Sequence, residues 1–348
     1  MKKLFAFLGL AAALAAAGSC AVAPVTGKND AAKRYFDAWT LIHYPNAPKT
    51  AFGSVIIDDK AGIGELIGSI DDTPYVYCDF VQKDLDGNIG SCTDVRTAQQ
   101  IGTYAESYYY GPQVVTRLQG RNYSGVAEMM ETMRVGGTRT AAIPGWLMTA
   151  DYYETPEEYL KNCSGTDAIY TFTVREAIKD IVLWEIDSLS RYMRRHYPGV
   201  DSTVYGYYYI QTAEPLDTTS FESGTTVYVD YTGRLLNGQV FDSTIQDTTK
   251  KYRIYVDGTT YEPSSMSWPS EETSTVTFSS GGTAIDGFER CVHNMKAGEK
   301  GICIFYSSRG YGMNGSGSTI PPYSPLMFEV HMLGKNEDGS IDTDDTDS

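Results

Sequence analysis

The residues that could do chemistry in this 348-residue chain are aromatic and acidic, and they gather in its C-terminal half. Tyr231 and Phe241-Asp242 flank a hairpin signal, Asn237-Gly238 between two alternating apolar runs. In "AIDGFERC", Ala284 and Ile285 precede Phe288 at the start of a short helix. Tyr311-Gly312, Ile320-Pro321-Pro322 and Phe328 follow. Rings, phenols and one carboxylate can make a dry wall with a hydrogen-bonding edge, and they include no obvious nucleophile. Other chemistries lack their residues. The histidines His43, His196, His293 and His331 are scattered, and neither HExxH nor CxxC occurs, so no metal site and no cofactor are expected. "DLDGN" at 84–88 faintly resembles a calcium loop, but Thr93 stands where the bidentate Glu belongs, and a hairpin turn explains it better. GxSxG, Walker and GxGxxG patterns are missing. A formal charge of −16 argues against a nucleic-acid partner, because phosphate neutralisation needs a basic face.

Taken in order, these residues resemble the FKBP-type peptidyl-prolyl isomerase family. Its pattern runs V-x-Y-T-G, G-x-x-F-D-S, V-I-x-G-[WF]-E, Y-G, then I-P-P-x-[ASTP]-x-L-x-F-x-V-x-L. The match is strong over 225–333 and weak over 76–139. The resemblance implies an α+β fold, a twisted antiparallel sheet wrapped around one short helix. It implies a catalytic pocket of Tyr231, Phe241, Asp242, Ile285, Phe288, Tyr311 and Phe328, with Phe278, Ala284 and Ile320 contacting substrate. Phe288 replaces the commoner Trp, and Ala284 the usual Val. The residue types suit that chemistry. Peptide rotation costs ~18–20 kcal/mol because it breaks amide resonance. X-Pro bonds populate both isomers and exchange over tens of seconds or more. A dry pocket that grips the prolyl ring and favours the twisted, less polar amide accelerates the exchange. The expected partners are proline-containing exported polypeptides. The alternative is a non-catalytic chaperone or binding lipoprotein on the same scaffold.

Two copies of one domain must position these residues. "VYCDFVQKDLDGNIGSCT" from Val76 aligns without a gap on "VYVDYTGRLLNGQVFDST" from Val227, 151 residues on. In the first copy Phe80 replaces Tyr231, Gly90 replaces Phe241, Ser91 replaces Asp242 and Val126 replaces Phe288. That copy keeps the frame and loses the pocket, which suits a scaffold, a client-gripping module or a homodimer contact. Each copy opens with an amphipathic helix. One carries Tyr35, Phe36, Trp39 and Ile42, the other Ile181, Val182, Ile186, Leu189 and Met193, and both end at His-Tyr-Pro. "GVAEMMETMRVGGTR" and "GFERCVHNMKAGEKG" each predict a short helix and a Gly turn into a strand. Two features are expected to break the symmetry. One is an insertion in the second copy, about 245–277, with a further hairpin at Asp257-Gly258. The other is a helix at Thr155-Pro156 in the first copy, where Tyr-Gly and Ile-Pro-Pro would fall.

The domains expected are 29–179, degenerate, and 180–335, an isomerase, followed by an acidic disordered tail, 336–348. "MKKLFAFLGLAAALAAAGSC" resembles a bacterial lipoprotein signal: 1–19 removed, Cys20 lipidated, 20–28 a tether. The expected location is the cell envelope, lipid-anchored, at the outer membrane. Outside the inner membrane disulfides can form. Pairing Gln82 with Asn88 and Phe80 with Gly90 sets Cys78 opposite Cys92 as a candidate bond.

Overall fold

A computed structural model describes residues 28–268 and 275–334. The signal segment, Cys20, the tether before Lys28 and the acidic tail 336–348 lie outside the described residues. Each half of the chain builds a six-stranded antiparallel sheet around its own apolar core.

In the first unit α1 (Lys28–His43) leads into β1 (Val55–Lys60), β2 (Tyr75–Lys83), β3 (Ile89–Cys92), α2 (Val95–Gln100) and β4 (Gln113–Thr116). α3 (Ser124–Glu131), β5 (Thr138–Ile143), α4 (Pro156–Lys161) and β6 (Ala168–Ile178) complete it. The sheet order is β1-β5-β6-β2-β3, with β4 also paired to β2. On α1, Phe36 and Thr40 form the buried i, i+4 line, with Trp39 beside it. Tyr35 and Ile42, which the spacing grouped with them, fall on the flanks and are 57% and 75% exposed. Thr155 caps α4 by accepting from the Glu158 N–H at 3.2 Å, with Pro156 in the first turn, as that dipeptide predicts.

The second unit repeats the plan. α5 (Ile181–His196), β7 (Tyr207–Ala213), β8 (Thr226–Leu235), β9 (Val240–Ser243), α6 (Gln246–Lys251) and β10 (Ser264–Ser267) precede α7 (Asp286–His293), β11 (Lys300–Phe305) and β12 (Leu326–Met332). The order β7-β11-β12-β8-β9, with β10 on β8, reproduces the first sheet strand for strand. Asp180 caps α5 through the Leu183 N–H at 3.0 Å. Leu189 and Met193 of α5 pack on Ile304 and Met327 of the sheet's outer face. α7 presents Phe288, Cys291 and Val292 to the inner face, and Met295, two residues past its end, continues the stripe.

The repeat is deeper than the hairpin alone. Val81 pairs with Cys92 as Thr232 pairs with Ser243, and the same bulge follows one residue later. The 151-residue offset continues through α2 and α6 to β4 and β10. Gly102 and Arg253 both have positive φ, 74° and 58°. Tyr104 meets Tyr110 at 5.4 Å, and Tyr255 meets Tyr261 at 5.3 Å. Residues 245–267 are therefore not an insertion of the second unit; the first unit has the same segment at 94–116. Nor do strands form about Asp257-Gly258: a turn forms there, held by Tyr261 OH, which accepts from the Val256 N–H at 2.9 Å. The offset rises to 162 at α7, so eleven extra residues lie between β10 and α7. α4 stands where the second unit has the segment that follows Tyr311, between β11 and β12.

The Cys78–Cys92 bond does not form, and both thiols are free. The hairpin pairs Lys83 with Ile89, two residues off the expected register, and the bulge between Gln82 and Lys83 adds a third, so Cys92 faces Val81. Cross-strand partners share a face. Cys92 thus stands on Val81's side, while Cys78 is fully buried on the other, opposite Val174 and Gln113.

Candidate active site

Strand alternation sends Val227, Val229, Tyr231, Gly233 and Leu235 of β8 to one face, the inner one. At its end that face carries Tyr231 and Gly233. The hairpin returns through Gly238, φ 91°, and β9 brings Phe241 back over Gly233. A Cβ on Gly233 would stand 2.5 Å from the Phe241 ring and 3.0 Å from the Phe328 ring. Absence of a side chain there is what lets Phe241 lie flat on the strand.

Phe328 is the hub of the site. Phe288 meets it at 5.3 Å and 70°, Phe241 at 5.5 Å and 82°, and Tyr231 at 6.0 Å. Tyr231 also meets Phe288, at 5.3 Å. Edge-to-face pairs of this kind add ~0.5–1.5 kcal/mol each beyond area burial and fix ring orientation. Phe305 stacks behind Phe328 at 5.9 Å, and Tyr207 behind Phe305 at 6.1 Å, so the floor is braced from the core. Phe288 and Phe328 are 3% and 5% exposed. The eleven extra residues have a visible product here. A turn closed by Phe278 N–H to Gly282 C=O, 2.8 Å, sets Phe278 5.9 Å from Phe288. Ala284 continues from that turn, its N–H donating to Val276 C=O at 3.0 Å.

One edge is polar. The Tyr231 hydroxyl donates to Asp242 Oδ2 at 2.8 Å. Burial first, and then the Asp242 charge, push the Tyr231 hydroxyl well above its ordinary pKa. It therefore stays protonated and serves as a donor. Tyr311, 38% exposed, leads into a short helical turn at Gly312–Asn314, and burial first, then the Asp242 charge, raise its hydroxyl's pKa. Ile285 precedes the first turn of α7, its C=O accepting from the N–H groups of Phe288 and Glu289 at 3.0 Å each. Ile320 is 3% exposed and packs in the core cluster rather than on the open surface.

The fold thus gathers Tyr231, Phe241, Asp242, Phe288, Phe328 and Phe278, with Ala284, Ile285 and Ile320 packed around the same core. Sequence reasoning missed Gly233 as the bed of the Phe241 ring, although the Tyr-Thr-Gly run contains it. In the first unit it missed Tyr170 and Tyr123. Strand pairing puts Tyr170 where Phe328 stands, and the start of α3 puts Tyr123 where Ile285 stands. Unequal loops before β6 and β12 hid the first of these. A ring-lined site with a phenol–carboxylate edge can hold an apolar ring dry and offer hydrogen bonds to carbonyls at its rim.

The family described as FKBP-type peptidyl-prolyl cis-trans isomerase matches residues 217–333. The chain is 34% identical over 120 residues to FK506-binding protein 2 of Dictyostelium discoideum, covering 34% of this chain and 71% of that protein. It is 31% identical over 128 residues to FK506-binding protein 1 of Rhizopus delemar, covering 36% of this chain and 96% of that protein. With FK506-binding protein 59 of Drosophila melanogaster it shares 35% over 137 residues, 37% of this chain and 26% of that protein, so it spans about a quarter of that relative. Among solved structures, the three FKBP domains of wheat FKBP73 align at 17% identity over 80% of this chain and 92% of that one, TM-score 0.28. Through its second unit, the chain belongs to the FKBP-type peptidyl-prolyl cis-trans isomerase family.

Proposed function

We propose that the second unit catalyses cis–trans isomerisation of X-Pro bonds in exported polypeptides and so assists their folding. The observation that carries this is the box of Phe241, Phe288 and Phe328 closed on one edge by the Tyr231–Asp242 pair. The prolyl ring enters the box and leaves water behind. Once dry, the site disfavours the planar, dipolar amide relative to the twisted one, whose carbonyl and nitrogen have lost their resonance. The Tyr311 hydroxyl donates to one substrate carbonyl and the Ile285 backbone N–H to another. Asp242 holds the Tyr231 ring in place and keeps that edge polar. No bond to the protein forms at any step. The test is a protease-free refolding reaction limited by proline isomerisation. The full chain should accelerate it, and Phe241→Ala with Tyr311→Ala should lower kcat/KM at least tenfold, about 1.4 kcal/mol of transition-state stabilisation. A double variant as active as the parent would overturn the assignment. No acceleration by the parent chain, together with tight binding of unfolded polypeptide, would favour the chaperone reading.

The chain's place in the cell envelope is part of the same proposal. Lys2-Lys3, the apolar run and Ala17-Gly18-Ser19-Cys20 support lipidation at Cys20. Cys20→Ala should leave an unprocessed or soluble protein. Retention of that variant in carbonate-washed membranes would remove the anchor from the proposal.

A further inference from the structure

Two residues expected at the site, Tyr311 and Ile320, are the feet of one loop, and that loop reads "GMNGSGST". Its Gly312, Gly315 and Gly317 have φ of 54°, 60° and 54°. Glycine loses more conformational freedom on ordering than any other residue, so such a loop needs an outside hold. Ser316 and Ile320 bridge each other within the loop, at 2.8 and 3.1 Å, and the outside hold comes from the first unit. The Tyr109 N–H donates to the Ser318 C=O at 2.8 Å, near the loop's tip. The Tyr109 ring packs against the second unit's core. Two more ties fasten the same arm: Gln239 Nε2 donates to Ser107 C=O at 3.2 Å, and Arg253 pairs with Glu106 at 2.6 Å. Gln239 lies two residues before Phe241. The arm is stiff in its own right, because Tyr104 stacks on Tyr110, whose hydroxyl accepts from the Ala105 N–H at 3.1 Å.

A second contact holds the base of the loop. The Tyr323 N–H donates to the Gly312 C=O at 2.8 Å. Tyr323 has φ 56°, a left-handed conformation that a non-glycine residue keeps only when its surroundings over-determine it. Tyr75 of β2 supplies part of that surrounding, meeting the Tyr323 ring edge-to-face at 5.4 Å.

We propose that Tyr109 and Tyr75 of the first unit are positioning residues for the second unit's reaction. They hold the glycine-rich loop 312–319 so that Tyr311 and Ile320 stay at the site before substrate arrives. The first unit is then a necessary brace of the active site, although its own pocket is degraded. This rests on the isomerase activity proposed above. A pre-ordered loop spares the substrate the task of ordering it, so the effect falls on KM.

The test uses the full chain. Tyr75→Ala with Tyr109→Ala should raise KM about fivefold and leave kcat within about twofold, and amide hydrogen exchange over 312–319 should accelerate. The backbone N–H at 109 survives both substitutions, so Tyr109→Phe, which keeps the ring that packs on the second unit's core, should restore parental KM in the Tyr109 position. If the double alanine variant fails to fold, Gln239→Ala with Arg253→Ala loosens the same arm from the second unit's side and should shift KM and exchange in the same direction. Parental KM and parental exchange in a folded variant would overturn the brace while leaving the activity standing. No turnover by the parent chain would overturn the activity and the brace with it.

Discussion

In β8–β9 a glycine lies under a phenylalanine; in β2–β3 a glutamine lies under a glycine. The two hairpins share their register, their bulge and their Thr anchor, Thr93 or Thr244, whose hydroxyl accepts from the Phe80 or Tyr231 N–H at 3.0 and 2.9 Å. Yet Gly233 makes room for the Phe241 ring, whereas Gln82 at the matching position takes up the room over Gly90. A Cβ on Gly90 would stand 2.6 Å from Gln82 Oε1. The polar edge diverges as well, since Phe80 and Ser91 cannot repeat the Tyr231–Asp242 bond. The first unit thus keeps the scaffold and aromatic Tyr170 at the position of the hub, while Phe80, Gly90 and Ser91 line a cavity of about 300 Å³ without the ring and the carboxylate of the second unit. Backbone hydrogen bonds and the Thr anchor preserve a frame indefinitely, while a site depends on side-chain volume at a few positions.

The sharpest way to break this comparison is to move the first unit's pair into the second. Gly233→Gln with Phe241→Gly should cost about 100-fold in kcat/KM, because it removes one ring and fills its space. The fold should survive, since the same pair already stands on the same frame in the first unit. Loss of the native near-ultraviolet spectrum would show that the frames are less alike than their registers. The reverse exchange, Gln82→Gly with Gly90→Phe, should create no activity without a phenol–carboxylate edge and Phe288. Asp242→Ser, the first unit's residue, should have a smaller effect, about threefold to tenfold, or ~0.7–1.4 kcal/mol. A parental rate would mean that the rings alone carry the site.

The units also differ at their leading helices. Glu185 of α5 is buried, 2% exposed, and accepts from the Ser307 N–H and Oγ–H at 3.2 and 3.0 Å. Burial raises its pKa to about 7, against the lowering effect of those hydrogen bonds. The folded pKa thus lies above the unfolded one. Stability from this group is full below the unfolded carboxyl range and is lost as pH rises through 7. Glu185→Gln should abolish that dependence. The stability difference between variant and parent should grow from pH 4 to pH 8 by about 3 kcal/mol. A difference constant with pH would show that folding does not raise the Glu185 pKa. The smallest effect belongs to Cys92, partly exposed and unbonded. Cys92→Ser should change stability by less than about 0.5 kcal/mol. A larger loss, or a Cys78–Cys92 linked peptide in non-reducing mapping, would restore the bond that the register excludes.

Much of this protein is legible in its sequence, wherever the signal is local. Asn237-Gly238 marks a hairpin because its turn needs one left-handed residue, which Gly238 supplies at φ 91°. Thr155-Pro156 marks a helix start because a hydroxyl and a missing N–H both suit the first turn. The ordered series from Tyr231 to Phe328 names the site's rings, since strands and helices of fixed rise bring such spacings to one face. Tertiary structure decided the rest. A register three residues from the expected one, its odd residue a bulge, turned Cys92 away from Cys78, because strand faces alternate with a period of two. The segment 245–267 reads as an insertion because few of its residues match 94–116, yet a helix, a left-handed residue and a tyrosine pair fold it the same way. Glu185 is buried by tertiary packing, and its hydrogen bonds come from Ser307, 122 residues further along the chain. The hold of Tyr109 on Ser318 has no local trace at all. It exists because two sheets, each complete in itself, came to rest side by side, and contacts between such bodies depend on their surfaces and not on any spacing along the chain.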